Sequence, residues 1–241
     1  MSISILTATK NNFEQISLLR ASLENQSSQD FIWYISAPSS SDTSLNALFG
    51  CKLDIKVNTD PDAGIFSALN QLIRELPLSS YYIVSGADDV FAENAVEYFN
   101  SLVNSGSALS KLVIYTSNVM RASKLLSPRT RASLYTAGQM KFIASHSIAT
   151  CIPVSAHTFH GLYDEHYRVA ADEKFLLACY LDPKISFRHT SFIAGTIGEN
   201  GISRYFDLDL HIESLRAKSF SLNKKFLALI YSIKFLKYFL N

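Results

Sequence analysis

Apolar residues in the first half of the chain follow two alternating rhythms: short continuous runs, and stretches spaced three and four apart. Ser2-Ile3-Ser4-Ile5-Leu6 reads as a first strand, and from Phe13 to Gln26 the positions Ile16, Leu19 and Leu23 mark one face of an amphipathic helix. Phe31-Ile32-Trp33-Tyr34-Ile35 is apolar throughout, the pattern of a strand buried on both faces. Leu53 to Val57 alternates as a third strand, after which Ile65, Leu69, Leu72, Ile73 and Leu76 trace another helix face. Tyr81 to Ser85 predicts a fourth strand, Ala92 to Asn104 a helix carrying Val96, Phe99 and Val103, and Lys111 to Tyr115 a fifth strand. Strands alternating with helices in this order predict an α/β fold, a mostly parallel sheet flanked by helices and joined by right-handed crossovers.

The second half is less regular. Arg121 to Gln139 is rich in Ser, Thr and basic residues and reads as a loop region over a site. Lys141 to Ile152 is an apolar run interrupted by Ser145-His146-Ser147. After a turn at Gly161 to Asp164, Val169-Ala170-Ala171-Asp172-Glu173-Lys174 leads into a helix with Phe175, Leu176 and Cys179. Ile185 to Phe187 and Ser191 to Ile193 predict two short strands, and Gly195 to Ser203 a Gly-rich loop. Residues 1–205 are thus expected to form one domain and 206–241 a helical extension.

Composition narrows the partners more than the fold. With 241 residues, 48% of them apolar, a sizeable core is available, and 22 basic against 21 acidic residues give no global field for nucleic acid. Cys51, Cys151 and Cys179 form no Cys-x-x-Cys pair, so neither a disulfide framework nor a thiolate zinc site is suggested, and reduced packing cysteines fit a cytoplasmic protein. The one local charge bias is C-terminal: Phe226 to Leu240 is apolar, broken by Lys234 and Lys237 and preceded by Lys224-Lys225. That run is short of the roughly 20 residues a bilayer span takes. It suits a helix lying on the inner face of an anionic membrane through residues 224–241, or one packed on the domain or on a second copy in a homo-oligomer.

Candidate chemistry gathers where strands end. Thr7-Ala8-Thr9-Lys10-Asn11-Asn12 follows the first strand with short polar residues that suit a ligand-facing turn or a helix cap. The fourth strand runs through Gly86-Ala87 into Asp88-Asp89. Carboxylates about 4 Å apart at an effective dielectric of ~20 repel by roughly 4 kcal/mol, a cost a divalent cation removes. A plain solvated turn capping the next helix satisfies the same residues. Asp172, at the start of a helix and after Val169-Ala170-Ala171, reads either as a cap or as a catalytic carboxylate.

Taken in order, Thr7-Ala8-Thr9-x-Asn11, Asp60-Pro61-Asp62-Ala63-Gly64-Ile65-x-x-Ala68-Leu69-Asn70, Gly86-Ala87-Asp88-Asp89, Asp172 and Asn200-Gly201-Ile202-Ser203 resemble the family 2 glycosyltransferases of the GT-A fold, especially bacterial enzymes of polysaccharide and lipopolysaccharide assembly. The resemblance covers roughly residues 2 to 205. It implies inverting transfer of a sugar from a nucleotide-sugar donor to a saccharide or lipid-linked acceptor. By the same resemblance Asp88 and Asp89 would hold Mg2+ or Mn2+ on the donor diphosphate, and Asp172 would be the general base. Thr7, Thr9, Asn11, Ser36, Asp62, Gly64, Asn70 and Asp88 would contact the donor, and His146 and Ser203 the acceptor or a phosphate. His189 matches the place of a late third metal ligand in some relatives. Two departures stand out. Ser36 occupies the place of the family's nucleobase-contacting Asp, leaving that contact to Asp62 or Asp42, and Gly86 replaces the first Asp of the usual Asp-x-Asp. A nucleotide- or glycan-binding relative without catalysis, and a nucleotidyltransferase, are the competing readings; the latter usually has a Gly-rich basic loop after the first strand, and Thr7 to Asn12 has no Gly.

Overall fold

A computed structural model describes residues 2–60, 64–106, 112–128, 134–135, 143, 146–198 and 207–240. Its framework is a parallel group of four strands. β1 (Ile3–Ala8) lies between β2 (Phe31–Ala37) and β4 (Tyr81–Val84), with Ile3 opposite both Phe31 and Tyr81, and β3 (Ile55–Thr59) pairs outside β2. The crossovers are α1 (Phe13–Glu24), short α2 (Thr43–Asn46) and α3 (Ile65–Arg74). Parallel pairing sends the carboxyl ends of all four strands to one edge, the edge at which open α/β sheets bind ligands.

Successive residues of a strand face opposite sides of the sheet, and the core divides accordingly. Ile5 packs with Ile16, Leu19 and Leu23 of α1 and with Phe99 of α4 (Ala95–Gly106). Leu6 packs on the other face with Leu69, Leu72 and Ile73 of α3 and with Phe175 and Leu176 of α6 (Ala171–Leu181), which follows the short α5 (His157–His160).

Beyond β4 the sheet departs from the simple alternation. β5 (Val90–Phe91) leads into α4; β6 (Leu112–Arg121) and β7 (Lys124–Leu126) form a hairpin, with Ala122 at φ 48° in its turn. β8 (Thr150–Pro153) inserts antiparallel between β4 and β6, so the fifth predicted strand is not the neighbour of the fourth. β9 (Ile185–Thr196) runs parallel to β6 and antiparallel to β5. Among the described residues the strands form one nine-stranded sheet.

Several boundaries move for identifiable reasons. The strand expected to stop at Tyr115 continues to Arg121 because its buried polar residues find partners across the ladder: Ser117 Oγ lies 2.8 Å from Thr190 Oγ1, and Asn118 Nδ2 donates to Ser191 O at 3.1 Å. The two short strands expected over 185–193 are one strand, with register irregularities opposite Thr116–Met120 that blur its period. Gly195, expected in a loop, pairs with Phe91; a Cβ there would sit 2.2 Å from Val90 O, so the close approach requires glycine. Two further helices, α7 (Asp207–Ser219) and α8 (Lys224–Leu240), follow, and α7 packs against α6.

Candidate active site

The carboxyl ends of β1, β2 and β3 enclose a first cavity of about 180 Å3, lined by Thr9, Lys10, Ser36, Asp60 and Ala68 among others. Its rim is tied down by α2. Asp42 caps α2 through Ser44 N at 2.9 Å and also takes the Asn11 N–H at 3.0 Å, while the Ser44 hydroxyl accepts from Thr9 Oγ1 at 2.9 Å and from Asn12 N at 2.8 Å. Burial alone would raise the Asp42 pKa, but these hydrogen bonds outweigh it and hold the carboxyl below its ordinary value. Asn11 adopts φ 53° in this pinned turn, a conformation Asn tolerates well.

The residues expected on the donor therefore separate. Thr9 and Ser36 line the cavity. Thr7 does not: β1 extends to Ala8, and the Thr7 hydroxyl is buried, accepting from Trp33 Nε1 at 3.0 Å. Asn11 lies on the turn without being among the cavity-lining residues, and Asp42 is spent on the cap instead of replacing a base-contacting Asp. Asn70 is buried and locks the 163–165 turn, donating to Tyr163 O at 2.8 Å and Glu165 Oε1 at 2.9 Å and accepting from Tyr163 N at 2.9 Å. Gly64 caps α3 with an ordinary φ of −61°, and no atom lies within 4 Å of a Cβ placed there. Asp62 and Ser203 lie outside the described residues. The carboxylate found at this cavity is Asp60, which accepts from the Gln71 side-chain amide.

Ala8 and Ile65 are shared with a second cavity, about 190 Å3, beyond the end of β4. Asp88, Asp89, His146 and Asp172 all line it, together with Tyr163, Arg168 and Gly198. Asp89 is 1% exposed; its carboxylate takes the backbone N–H of Gly86 at 2.8 Å and of Gly198 at 3.2 Å, with His146 Nδ1 4.0 Å away. Burial raises its pKa, opposed by His146 and the two N–H groups. Asp88 lies directly on Gly198, where an added Cβ would fall 2.1 Å from its carboxyl carbon. The acidic turn is thus held against the end of β9 by one carboxylate while the other lies over Gly198 on the cavity wall.

No group of three His, Cys, Asp or Glu side chains among the described residues is arranged as a metal cage. His189 is not one of the cavity-lining residues; its Nδ1 is 3.3 Å from Thr116 Oγ1. The Asp88 carboxylate on the cavity wall, with buried Asp89 beside it, is the donor set that fits Mg2+ or Mn2+, which bind through one or two carboxylates and complete their shells with phosphate oxygens and water.

Asp172 enters from the first turn of α6. Burial pushes its pKa up to about 7, reinforced by the charges of Glu173 and Glu213 and opposed by the Glu173 N–H, which donates to Asp172 Oδ1 at 2.8 Å. Nearby, Tyr163 is fixed by a buried chain. His157 Nδ1–H donates to Gly161 O at 2.8 Å, which leaves Nε2 to accept from Tyr82 OH at 2.8 Å, and Tyr82 OH in turn accepts from Tyr163 OH at 2.9 Å. Tyr163 and Arg168 are cavity residues that sequence reasoning did not single out, and Asp60 was quoted in the second motif without a role of its own. Their nearest signals were the Asp60-Pro61 turn and the position of Arg168 four residues before Asp172.

No family model matches the sequence, and no curated protein matches it. Solved structures do. The chain is similar to S. aureus TarS residues 1–349 in complex with UDP-GlcNAc, with a TM-score of 0.70 and 16% identity over 95% of this chain and 71% of that one. In another S. aureus TarS structure it spans 43% of the chain matched. It is also similar to the mannosyltransferase PcManGT from Pyrobaculum calidifontis in complex with GDP-Man and Mn2+, at a TM-score of 0.61 and 13% identity over 98% and 80% of the two chains. A third is glucosyl-3-phosphoglycerate synthase from Mycobacterium tuberculosis with Mn2+, UDP and glucosyl-3-phosphoglycerate, at 0.58 and 9% over 90% and 79%. At these identities the likeness establishes the fold, and the fold is GT-A.

Proposed function

We propose that the protein is an inverting, metal-assisted glycosyltransferase that moves a sugar from a nucleotide-diphosphate donor to a hydroxyl of a saccharide or lipid-linked acceptor. The observation that carries this reading is the joining of two cavities at the carboxyl edge of a GT-A sheet. One is lined by Thr9, Ser36 and Asp60, the other by Asp88, Asp89 and Asp172, whose pKa is pushed up to about 7. The GT-A neighbours solved in complex with UDP-GlcNAc and with GDP-Man and Mn2+ support the same donor class.

In this reading the nucleoside occupies the first cavity, where Asp60 and the Thr9 and Ser36 hydroxyls offer hydrogen bonds to base and ribose. The diphosphate crosses at Ala8 and Ile65 to Asp88. A divalent cation held by Asp88 and Asp89 supplies neutralising charge for the leaving diphosphate. Asp172 takes the proton of the acceptor hydroxyl as that oxygen bonds to the anomeric carbon, while the bond from that carbon to the diphosphate oxygen breaks. Attack opposite the leaving group inverts the anomeric centre. Tyr163 and Arg168 shape the wall beside the acceptor, and His146 stands behind Asp89.

Among the described residues no helix is long and apolar enough to cross a membrane. α8 buries Leu227 and Tyr231 but exposes Phe226, Leu229, Ile233 and Leu236. No Asp or Glu follows Glu213 in the sequence, whereas six Lys and Arg do. This stripe fits an anionic lipid surface, where a lipid-linked acceptor would be met.

The deciding experiment is a thermal-shift screen of UDP, GDP and their sugars with Mn2+ or Mg2+, followed by assay of nucleoside diphosphate release with candidate acceptors. A ligand at 100 times its Kd adds about 2.7 kcal/mol of stability. Stabilisation by none of them sinks the donor assignment; binding without release on any acceptor favours a non-catalytic relative.

A further inference from the structure

α6 begins at Ala171 after Ala170, which offers no side-chain cap, although the start of a helix leaves backbone N–H groups in need of acceptors. The acceptor comes from α7. Glu213 Oε1 takes the N–H of Arg168 at 2.7 Å, and Oε2 takes those of Val169 and Ala170 at 2.8 and 2.9 Å. Three N–H groups converging on one carboxylate form a nest of the kind that binds anions. Asp209 and Arg216 flank Glu213 on the same face of α7: Arg168 Nη1 is 3.7 Å from Asp209 Oδ2, and the Arg216 guanidinium lies 4.8 Å from the Tyr167 ring centre. Deeper in, Glu173, the residue after Asp172, accepts from Ser214 Oγ at 3.0 Å and pairs with buried Lys218 at 3.3 Å. The loop that carries Arg168 and the turn that carries Asp172 are therefore both fastened by α7.

We infer that Glu213 is a positioning residue for Asp172: its carboxylate, seated on the N–H groups of residues 168–170, sets where the Asp172 carboxyl stands in the cavity and makes α7 part of the catalytic unit. This rests on the reading of Asp172 as the base. The charged and titratable groups around Asp172 are Glu173 on its own helix, Glu213 on α7, Tyr163 on the preceding turn and, on the walls of the shared cavity, Arg168, His146, Asp88 and Asp89. Removing the Glu213 charge takes away one repulsion and uncovers the positive end of the α6 dipole, and both effects favour the ionised Asp172.

The test compares the wild type with Glu213→Gln and Glu213→Ala. Titration of the Asp172 carboxyl by 13C NMR, which needs no turnover, is expected to move to lower pH in both variants. In the transfer assay kcat falls roughly 10- to 100-fold, the loss expected of a misplaced group, with donor KM unchanged and the acid limb of the pH profile displaced the same way. Formate or acetate, filling the emptied nest, restores part of kcat in Glu213→Ala and none in Glu213→Gln. An unmoved Asp172 titration overturns the inference, as does a loss of kcat that tracks a general fall in donor affinity and Tm without anion rescue. If Glu213→Ala does not fold, Glu213→Gln carries the titration and kinetic tests alone. If the variants shift the Asp172 titration but the wild type transfers no sugar, the base reading is defeated while the link between Glu213 and Asp172 stands.

Discussion

Asp172 has an ionisation poised near neutrality because burial strips water from its charge and two carboxylates stand close by. The same environment costs stability. Its folded pKa is raised above the unfolded value, so the folded chain holds the proton more tightly, and stability falls as pH rises from the carboxylate range through about 7. Asp172→Asn is expected to raise Tm by a few degrees at about pH 8 and to leave it unchanged near pH 4, as scanning calorimetry would register. The same change should slow transfer by roughly 100- to 10,000-fold, the usual worth of a general base. Gly198 has a different kind of constraint: Gly198→Ala must push Asp88 off the cavity wall. Donor affinity measured by calorimetry in Mn2+ is expected to drop about 10-fold, with little change in the metal-free value; equal loss in both would detach Asp88 from the cation. At this scale the sequence displays Asp88, Asp89 and Asp172, since a strand end and a helix start mark them, and His146 only through the family resemblance. It hides Arg168 and Glu213, because their roles depend on partners far along the chain. Thr7 misleads because a strand two residues longer than its apolar run turns that hydroxyl inward.

Elements were legible wherever apolar residues recur with a helical period or gather in short runs closed by polar turns. α1 and α3 follow from the first signal and the four parallel strands from the second. β6 and β9 do not, since Thr116, Ser117 and Asn118 are buried polar residues whose partners on β9 no local pattern announces. The position of β8 between β4 and β6 is likewise a product of tertiary pairing. The packing of α7 on α6 is polar at its centre, with Glu173 and Lys218 at 1% and 0% exposure. Removing one partner of such a pair leaves a charge without water, at a cost of about 3–5 kcal/mol. Lys218→Met is expected to lose about that much in urea unfolding, and Glu173→Gln combined with Lys218→Met to regain most of it; additive losses would show that the two side chains are not coupled.

For the molecule as a whole, the exposed stripe of α8 and the acid-free C-terminal sequence predict binding to anionic lipid. The full chain is expected to sediment with phosphatidylserine or phosphatidylglycerol vesicles, less so at high salt, and not with neutral phosphatidylcholine. Leu229→Ser with Ile233→Ser removes two large apolar contacts worth about 1.5–3 kcal/mol each when buried and should weaken sedimentation at least ~10-fold. Self-association in the ultracentrifuge that these changes abolish, without vesicle binding, would assign the stripe to a second copy.

The fastening of residues 168–170 by Glu213 also orders events in time. A chain made from its amino end can begin assembling the parallel strands β1 to β4 while the ribosome still holds the rest. Asp172 is synthesised some 40 residues before the carboxylate that fastens its helix, and the Ser214 hydroxyl beside Glu173 meets Tyr231 of α8 later still. On the proposed function, a nascent chain acquires its nucleoside cavity before Asp172 is set, so nucleotide binding is expected to precede competence for transfer during biosynthesis.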